Sequence, residues 1–428
     1  MNKVMQQAQW ARQMVEQATP PDSVVAWTVR QQIEDRLEQL PPLGRKAEQW
    51  RYSRIEQLFK QDFRPVVQAP ETAVQPDCSM DAWHLVVIDG WLDTTASHLA
   101  ALPAGVQIHS LRQRLEQNDP LLDERIRQDS AHHVLAALNL ALLNDGVVIQ
   151  VEPGVRLDKP IVIDYLNTRR DTPALVQPYN LFILGEQARA TLVERFQAGA
   201  GRDYFHNNRT RVELGKGAQL EHYRLQNDGP EAWHLSRLSV TQRQHSRYHG
   251  ITLDFGGQWS RTDIDCRFLE PDAECLLRGL FTVNDNQLSD FHLDVQHSQP
   301  RCTSREQFKG LLQGNGRGVF DGRILVEQAA QQTDAQLTND NLLLNREAEI
   351  DTKPQLEIYA DDVQCSHGTT VGQLDEQQVF YLRSRGVDLA DAQRLLCLGF
   401  GADIIEHITL EALREEALER MRHALNEA

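Results

Sequence analysis

The stretch GEQARA at residues 185–190 and the stretch GKGAQL at residues 215–220 share one pattern. Each begins with a polar turn and continues with alanine, a polar residue and then a small or apolar residue. Related turns recur, at unequal intervals, at 270–275, 332–337 and 345–350. Such units are typical of coiled β-solenoids, in which every rung turns a corner and stacks a small residue inside. Because the intervals are unequal, a β-sandwich with similar strands stays open at this point.

Short apolar runs surround these turns. They begin after Asp145-Gly146, where the hydrophobic period changes, and continue to about Tyr359 with almost no helical segment. Roughly 200 residues are therefore predicted to form a mainly β body of short strands. The clearest runs are VVIQV at 147–151, IVI at 161–163, LFIL at 181–184 and RVEL at 211–214.

Helical patterns precede the β body. An apolar residue at every fourth position from Val25 to Leu37 predicts one amphipathic helix. Further helical segments are predicted over about 46–59 and, where alanine and leucine dominate, over about 120–143.

A helical period returns at the end of the chain. Asp375 is expected to cap a helix that ends at Gly386. Asp388 is expected to cap a second helix that ends near Gly399, and Thr409 a third. About 50 residues are too few for a large core of their own, so this part should dock on something. The predicted division is a mostly helical domain at 1–143, a β core at 144–372 and a helical domain at 373–428.

Composition narrows the class of protein. The chain has 428 residues, of which 41% are hydrophobic and 25% charged, as expected of a soluble globular protein. Lys and Arg number 44 against 61 Asp and Glu, a net charge of −17, which disfavours nucleic acid and anionic membrane surfaces as partners. No apolar run has the length of a membrane span, and the first residues lack the apolar core of a secretory signal. Six cysteines without a CxxC pattern favour a reducing cytoplasm over a disulfide scaffold or a zinc ribbon.

The stretch DDVQCSHG at 361–368 carries the densest chemistry. If it is extended, Cys365 and His367 face the same way, roughly 6.5 Å apart along the strand. A soft thiolate beside an imidazole suits iron and its clusters. The alternative is a buried cysteine and a hydrogen-bonded histidine at a strand end. Asp361 and Asp362 could add oxygen ligands, but two acids there are more typical of a turn or a solvated edge.

Other candidates favour structural interpretations. The histidines between residues 200 and 300 have no carboxylate at a compelling offset and are interpreted as scattered surface imidazoles. GNGRG at 314–318 lacks the ending and the following helix of a phosphate loop, so a β-turn is predicted. RKAEQWRY at 45–52 is interpreted as a helix face with Trp50 anchored in a core. No hydrolase or ATPase motif occurs. The histidines are His206, His222, His234, His245, His249, His292 and His297.

From residue 307 to residue 400 the chain closely resembles the SufB/SufD family of iron–sulfur cluster assembly proteins. The segment 45–53 is similar as well, so the likeness spans most of the chain. The run CSHG at 365–368 lacks the acidic residue that follows this histidine in SufB-like chains, which are also longer; both points favour the SufD branch. Thr369 stands where alanine is usual. The matching stretches are 309–310, 316–324, 331–336, 341–344, 348–358, 361–372 and 380–386.

The resemblance implies a right-handed parallel β-helix between two helical domains. It implies a non-enzymatic scaffold that pairs edge to edge with SufB and receives the ATPase SufC on its C-terminal helices. His367 is then a ligand of a nascent Fe–S cluster at the SufB interface, and Cys365 a second, less certain one. The resemblance also implies that the chain holds no cofactor permanently. None of the matching residues indicates a flavin site. The residues proposed for SufC docking are Phe380, Tyr381, Arg383, Arg385, Leu395, Leu396 and Phe400.

Two other functions stay open. One is a β-helix enzyme acting on polysaccharide, which needs a groove of carboxylates, basic residues and sugar-stacking aromatics. The other is a stand-alone iron carrier. An exposed sheet edge also makes a homodimer of the isolated chain plausible.

Overall fold

The fold was analysed in a computed structural model that describes residues 3–71, 78–129, 131–197 and 203–426. The helices are α1 (Lys3–Val15), α2 (Val24–Glu34), α3 (Leu111–Glu116), α4 (Pro120–Gln128), α5 (Val134–Ala141), α6 (Glu376–Ser384), α7 (Leu389–Ile405) and α8 (Glu411–Asn426). The first eleven strands are β1 (Arg64–Pro65), β2 (Trp83–Ile88), β3 (Trp91–His98), β4 (Val106–Ser110), β5 (Val147–Val151), β6 (Ile161–Leu166), β7 (Ala174–Val176), β8 (Tyr179–Leu184), β9 (Arg189–Gln197), β10 (Tyr204–Leu214) and β11 (Gln219–Asn227). The remaining strands are β12 (Trp233–Gln242), β13 (Arg247–Asp254), β14 (Trp259–Phe268), β15 (Glu274–Val283), β16 (Leu288–His297), β17 (Thr303–Leu312), β18 (Arg317–Val326), β19 (Asp334–Leu343), β20 (Glu349–Ile358) and β21 (Gln364–Gly372).

From β8 onward successive strands alternate between two sheets. Sheet A contains the even-numbered strands in the order β20-β18-β16-β14-β12-β10-β8, and sheet B the odd-numbered strands in the order β21-β19-β17-β15-β13-β11-β9. Every pairing among these strands is parallel, so the chain rises by one rung with each pair of strands. The core is therefore a parallel β-solenoid, as predicted; its right-handed sense stays a prediction.

The repeated turns form the corners of the rungs. Gln187 and Gly217 both have left-handed backbone, with φ of 57° and 66°. Ala188 and Ala218, which follow them, are fully buried inside the corner. Glycine adopts this conformation without a steric penalty, whereas a residue with a Cβ such as Gln187 bears about 1–2 kcal/mol. The small inward residue predicted from the pattern is thus confirmed.

Alternate residues of each strand point into the solenoid and stack on the equivalent residues of the next rung. A run of phenylalanines also fills the space between the two sheets. Phe281 and Phe308 of sheet B alternate with Phe291 and Phe320 of sheet A, and successive ring centroids lie 5.6, 5.5 and 5.2 Å apart. Burying each ring contributes about 1.5–3 kcal/mol. The interior is thus a continuous packed core in this half of the solenoid.

The N-terminal helices cover the outer face of sheet A. Trp50 is buried there, as predicted, and the Arg261 guanidinium lies 3.8 Å from the centroid of its ring. The helix predicted over 46–59 is instead two short 3₁₀ turns, Glu48–Trp50 and Ile55–Lys60. The helix predicted over 120–143 is two helices, because Asp129 ends α4 and His133 caps α5.

The segment before residue 143 also contributes to the sheets. Strands β2 and β3 extend sheet B, and β4 extends sheet A, beyond β6 and β5. β3 and β4 pair antiparallel with their neighbours and end the sheets at this end of the solenoid. The domain boundaries at 143 and 372 stay predictions.

The C-terminal helices α7 and α8 pack on the outer face of sheet B. The apolar stripe predicted on the last helix is buried here at Leu413, Ala417 and Met421. Two predicted boundaries were wrong. The second helix runs through Gly399 to Ile405, and within it Gly401 lies close beside the Met421 side chain. The Thr409 hydroxyl contacts the Tyr223 hydroxyl at 2.9 Å instead of capping α8.

No helix of the described residues is long and apolar enough to cross a membrane.

Candidate functional site

The solenoid is open at its C-terminal end. Strand β20 pairs with β18 and strand β21 with β19, and no further strand of the described chain pairs with the other edge of either. The residues of both strands are exposed or half-buried, whereas inward residues of the rungs below are buried. The last rung therefore presents both free main-chain edges and inward-facing side chains to the outside.

Cys365 and His367 lie on this last rung, in β21. In the parallel register Cys365 stands over Ala335 and His367 over Leu337. Both residues of β19 are buried inside the solenoid, so the side chains above them occupy the same inward columns. The shared face predicted from the spacing is confirmed, and it is the interior face of an open rung.

The two side chains differ in exposure. The Cys365 thiol is half-buried and packs against the apolar core of the solenoid. This burial raises the pKa of Cys365, which keeps the thiol protonated until a metal ion or a base displaces the proton. The His367 side chain is exposed. One donor is thus anchored in the core and the other reaches outward.

Two donors do not complete a metal site. No group of three or more His, Cys, Asp or Glu side chains in the described residues could hold a metal ion together. A thiolate and an imidazole are nevertheless donors that suit iron, which takes further ligands in its clusters from thiolates. The structure thus places two donors that suit iron on one face of the last rung, which are fewer than a metal ion needs.

Asp361 and Asp362 belong to the turn that leads into β21. Both side chains are exposed. The turn is tied to the rung below, since the Gln332 amide donates to the Asp362 carbonyl at 2.6 Å and the Asp362 amide donates to Gln331 Oε1 at 2.9 Å. The interpretation of these acids as a turn is confirmed.

Thr369 fastens the last rung. Its hydroxyl donates to the Asn339 carbonyl of β19 at 3.0 Å and lies 3.2 Å from the Thr352 hydroxyl of β20. The residue that departs from the family pattern thus links both edge strands, on the same inward face as His367.

The surface predicted for ATPase docking is the helix α6 and the adjoining part of α7. Helix α6 buries none of its residues, and Phe380 and Tyr381 are 73% and 57% exposed. Arg383 and Arg385 are exposed too. On α7, Leu395 is half exposed and Leu396 lines a shallow cavity with Tyr381, whereas Phe400 packs inward under the Lys309 ammonium.

A polar groove of about 470 Å³ lies between the Glu48–Trp50 turn and the outer face of sheet A. Its charged side chains pair with one another, as Arg237 does with Asp265 and Arg323 with Asp294. The Trp50 ring is covered by Arg261 and is not free to stack on a sugar. The groove has carboxylates and cations but no open aromatic platform of the kind that a polysaccharide enzyme requires.

The interpretation of the histidines as surface groups was wrong for four of them. Burial prevents protonation of two, lowering the pKa of both His206 and His297 to about 3. His222 bonds through Nε2 to Glu194 at 2.9 Å, and these residues are 28 positions apart. One full rung separates such partners, so short-range spacing in the sequence could not reveal them; only the solenoid register does. The buried histidines are His206, His222, His234 and His297.

The prediction for the glycine-rich stretch was right. Residues 314–316 form the turn that leads into β18, which begins at Arg317. No helix follows the turn, so no phosphate loop is present there.

Fold and site together define a parallel β-solenoid whose open end exposes a thiol and an imidazole. Comparison with known proteins agrees with this fold and with donors that suit iron. The family model "SUF system FeS cluster assembly, SufBD core domain" matches residues 165–400, and "SufBD protein N-terminal region" matches residues 6–163. The chain belongs to the SufBD family of iron–sulfur cluster assembly proteins.

Individual relatives match over almost the full length. The chain is 30% identical over 400 residues to the iron–sulfur cluster assembly SufBD family protein slr0076 of Synechocystis, covering 90% of this chain and 88% of the relative. It is 29% identical over 401 residues to the iron–sulfur cluster assembly protein SufD of Escherichia coli, covering 92% of each. It is 28% identical over 420 residues to the chloroplastic protein ABCI7 of Arabidopsis thaliana, covering 95% of this chain and 88% of the relative.

Proposed function

We propose that this chain is the SufD-type scaffold subunit of an iron–sulfur assembly complex and that it does no catalysis of its own. The observation that carries the proposal is the open last rung, which combines two unpaired strand edges with Cys365 and His367 facing the interior. Cluster assembly is the role of the family, and half a ligand set at a pairing edge is what an assembly interface requires.

The unpaired edges of β20 and β21 are evidence that a partner binds at this end of the solenoid. Unpaired strands as long as β20 and β21 are a hazard for aggregation unless something covers them. The proposed cover is a SufB-type solenoid that pairs edge to edge. In the isolated chain a second copy of the same chain would meet the same edges, so a homodimer is expected when SufB is absent.

His367 is the proposed ligand from this chain. Its exposed imidazole can reach a nascent cluster held by the partner, whose cysteine would supply a thiolate. Cys365 is second, because its thiol is half-buried and needs deprotonation. The cluster is cargo, held for a time between two chains.

The second proposed interface receives the ATPase SufC on α6 and the neighbouring part of α7. Exposed aromatic rings beside arginines, as at Phe380, Tyr381 and Arg383, are a composition favoured at protein interfaces. Phe400 is better interpreted as a contact between α7 and the solenoid, because Lys309 covers it.

The alternatives have less support. A stand-alone iron carrier needs a complete ligand set, and the described residues offer two donors at this end. A polysaccharide enzyme lacks an open aromatic platform in the groove. The described residues contain no disulfide, which fits the cytoplasmic location expected from the sequence.

The test is co-purification with SufB and SufC followed by cluster reconstitution. His367→Ala should leave the complex intact and reduce cluster formation, while Ser366→Ala, an exposed neighbour, should change neither. Normal reconstitution with His367→Ala would show that this histidine is no ligand.

A separate variant tests the docking surface. Phe380→Asp should weaken SufC binding while SufB pairing stays, because this side chain makes no contact with the core. A point change is preferable to removal of the chain after Gly386, since α7 and α8 cover apolar residues of sheet B. Unchanged SufC binding by Phe380→Asp would place the ATPase elsewhere.

A further inference from the structure

A turn of the N-terminal segment carries a cluster of unpaired cations. Residues 45–54, which we call the cationic turn, contain four Arg or Lys residues and one acid, in a chain whose net charge is −17. All four cations are exposed, and none forms an ion pair with a carboxylate of the described residues. The cations are Arg45, Lys46, Arg51 and Arg54.

The cationic turn is held firmly against sheet A. Trp259 Nε1 donates to the Ser53 carbonyl at 2.6 Å, and Arg261 Nη1 donates to the Gln49 carbonyl at 2.7 Å. Arg54 has a left-handed backbone with φ of 48°, which a residue with a Cβ rarely adopts. The cations therefore project from a fixed surface, and a partner that docks on it has little main chain to order.

The cationic turn lies beside the free edge of sheet A. Glu48 Oε1 is 2.6 Å from the Nζ of Lys353, which belongs to the edge strand β20. Burial lowers the pKa of Arg317, the first residue of β18, and repulsion from Arg54 and Arg45 lowers it further. These two cations therefore lie near the beginning of β18 and of its neighbour β20.

Unpaired charges of the opposite sign follow the other end of β20. Asp361 and Asp362 are exposed, and neither forms an ion pair among the described residues. Ile358 and Tyr359, between the strand and these acids, are 40% and 65% exposed. Exposed apolar and aromatic side chains beside a free strand edge are typical of a surface that a partner covers.

The charged side chains of β20 itself are paired within the chain. The turn before the strand adds one exposed residue of each sign, Arg346 and Glu347. The cations near the beginning of β20 and the acids beyond its end are therefore free to attract opposite charges of a partner. The internal pairs are Glu349 and Asp351 with Arg317, Lys353 with Glu48, and Glu357 with Arg323.

The main chain of this edge has a gap in its donors. The amides of Glu349 and Tyr359 donate to β18 at 3.1 and 2.9 Å, so odd-numbered residues of β20 direct their amides to β18 and even-numbered ones to the free edge. Pro354 is even-numbered and has no N–H, so the edge lacks a donor there. Charges at the two ends of the strand then help to fix the register of a partner.

We propose that the cationic turn is a docking surface for a second copy of this chain: β20 pairs antiparallel with β20 of the copy, and Arg45 and Arg54 of each copy meet Asp361 and Asp362 of the other. Pairing of a strand with its own copy about a two-fold axis is antiparallel, so the beginning of one strand lies opposite the end of the other. Every contact then occurs twice. The inference rests on the edge pairing of the proposed function.

The experiment measures the dissociation constant of the dimer of the full-length chain by analytical ultracentrifugation. Arg45→Glu with Arg54→Glu should raise this constant about tenfold or more at low salt, because like charges then face each other. Asp361→Arg with Asp362→Arg should do the same. The wild-type dimer should weaken in about 0.5 M NaCl, which screens exposed charges.

Arg127→Glu with Arg169→Glu is the control. Both arginines are exposed, and this variant has the same net charge as the first one with its changes far from the open end. It should dimerise as the wild type does, and all variants should keep the wild-type melting temperature because the exchanged side chains are exposed.

A mixture of the two charge-reversed variants gives the sharpest test. Neither should dimerise well alone, but an equimolar mixture should form a heterodimer about as tight as the wild-type dimer, since both of its contacts again join opposite charges. If the mixture stays monomeric, or if the arginine variant dimerises as the wild type does, the cationic turn does not meet these acids and this inference is overturned while edge pairing stands. A wild-type chain that is monomeric at every concentration would contradict the proposed edge pairing of the isolated chain, and this inference with it.

Discussion

The Lys309 ammonium on β17 lies 4.5 Å from the centroid of the Phe400 ring on α7 and donates to the Phe400 carbonyl at 3.2 Å. The same ammonium pairs with Asp403 at 2.7 Å. Strand β17 thus holds α7, the helix that adjoins the proposed ATPase surface, against its outer face.

Removing this contact should loosen α7. Lys309→Met keeps the aliphatic stem but loses the cation–π contact, the hydrogen bond and the ion pair with Asp403. Together these contacts stabilise the position of α7 by about 1–3 kcal/mol in a partly buried setting. Amides of α7 are expected to exchange hydrogen faster, while those of β10 to β14 stay protected. Lys216→Met, a change at a corner turn far from α7, serves as the control. Equal exchange of α7 in both variants would mean that apolar packing alone holds the helix.

A second prediction concerns His249, whose two ring nitrogens lie 3.0 Å from Glu221 and from Glu274. The hydrogen bond to Glu221, with Glu274 adding to it, raises the pKa of His249. Because the pKa of His249 is raised in the folded state, the contacts with Glu221 and Glu274 stabilise the fold fully at pH values below the ordinary histidine pKa. This stabilisation is lost as the pH rises through the pKa that His249 has in the folded state. His249→Gln should therefore lower the melting temperature at pH 5.5 and have a much smaller effect at pH 8.5.

His245→Gln is the matched control, because His245 is an exposed residue of the preceding turn. Its melting temperature should follow the wild type at both pH values. An effect of His249→Gln that does not change between pH 5.5 and 8.5 would show that the imidazole acts by packing and not by charge.

A third prediction concerns the buried ion cluster around Glu194. Burial would raise the pKa of this carboxyl, but Arg224 and the hydrogen bond from His222 outweigh it and hold the pKa at about 2. Glu194→Leu leaves the Arg224 cation buried without its partner, which typically costs about 3–5 kcal/mol. Urea unfolding should show this loss.

The double variant Glu194→Leu with Arg224→Met removes both charges and should recover much of the stability. Because the folded pKa of Glu194 is depressed, its contribution is present above about pH 4.5 and is lost as pH falls towards 2. A Glu194→Leu chain as stable as wild type in urea at pH 7 would contradict the assignment of this cluster as a structural one.

A feature of this molecule can be predicted from the sequence when the residues that form it are close together along the chain. The corner turns at Ala188 and Ala218 are local, because a left-handed residue followed by a small one is visible within six residues. The shared face of Cys365 and His367 is local as well. Both could be predicted before the structure was known.

Other features depend on the register between rungs. Glu194 and His222 meet because β9 and β11 pair in parallel, which places His222 beside Leu192, two residues before Glu194. The sequence around either residue does not indicate this partner. The burial of Glu306 could not be predicted either, because it depends on which alternate residues of β17 face the interior. The helix break at Asp129 was missed because the alanine and leucine content beyond it favours a helix throughout.

The last prediction concerns Thr369, which links β21 to β19 and to β20 through its hydroxyl. At a protein concentration low enough to keep the isolated chain monomeric, Thr369→Ala introduces the residue usual at this position and should cost about 1 kcal/mol, with faster hydrogen exchange confined to the edge strands. Ser366→Ala on the outward side of β21 is the control and should leave exchange unchanged. Pairing with a SufB-type partner would supply main-chain hydrogen bonds to the same edge, so the difference between Thr369→Ala and wild type should disappear in the complex. If it persists there, the partner does not cover β21 and the proposed edge pairing is wrong.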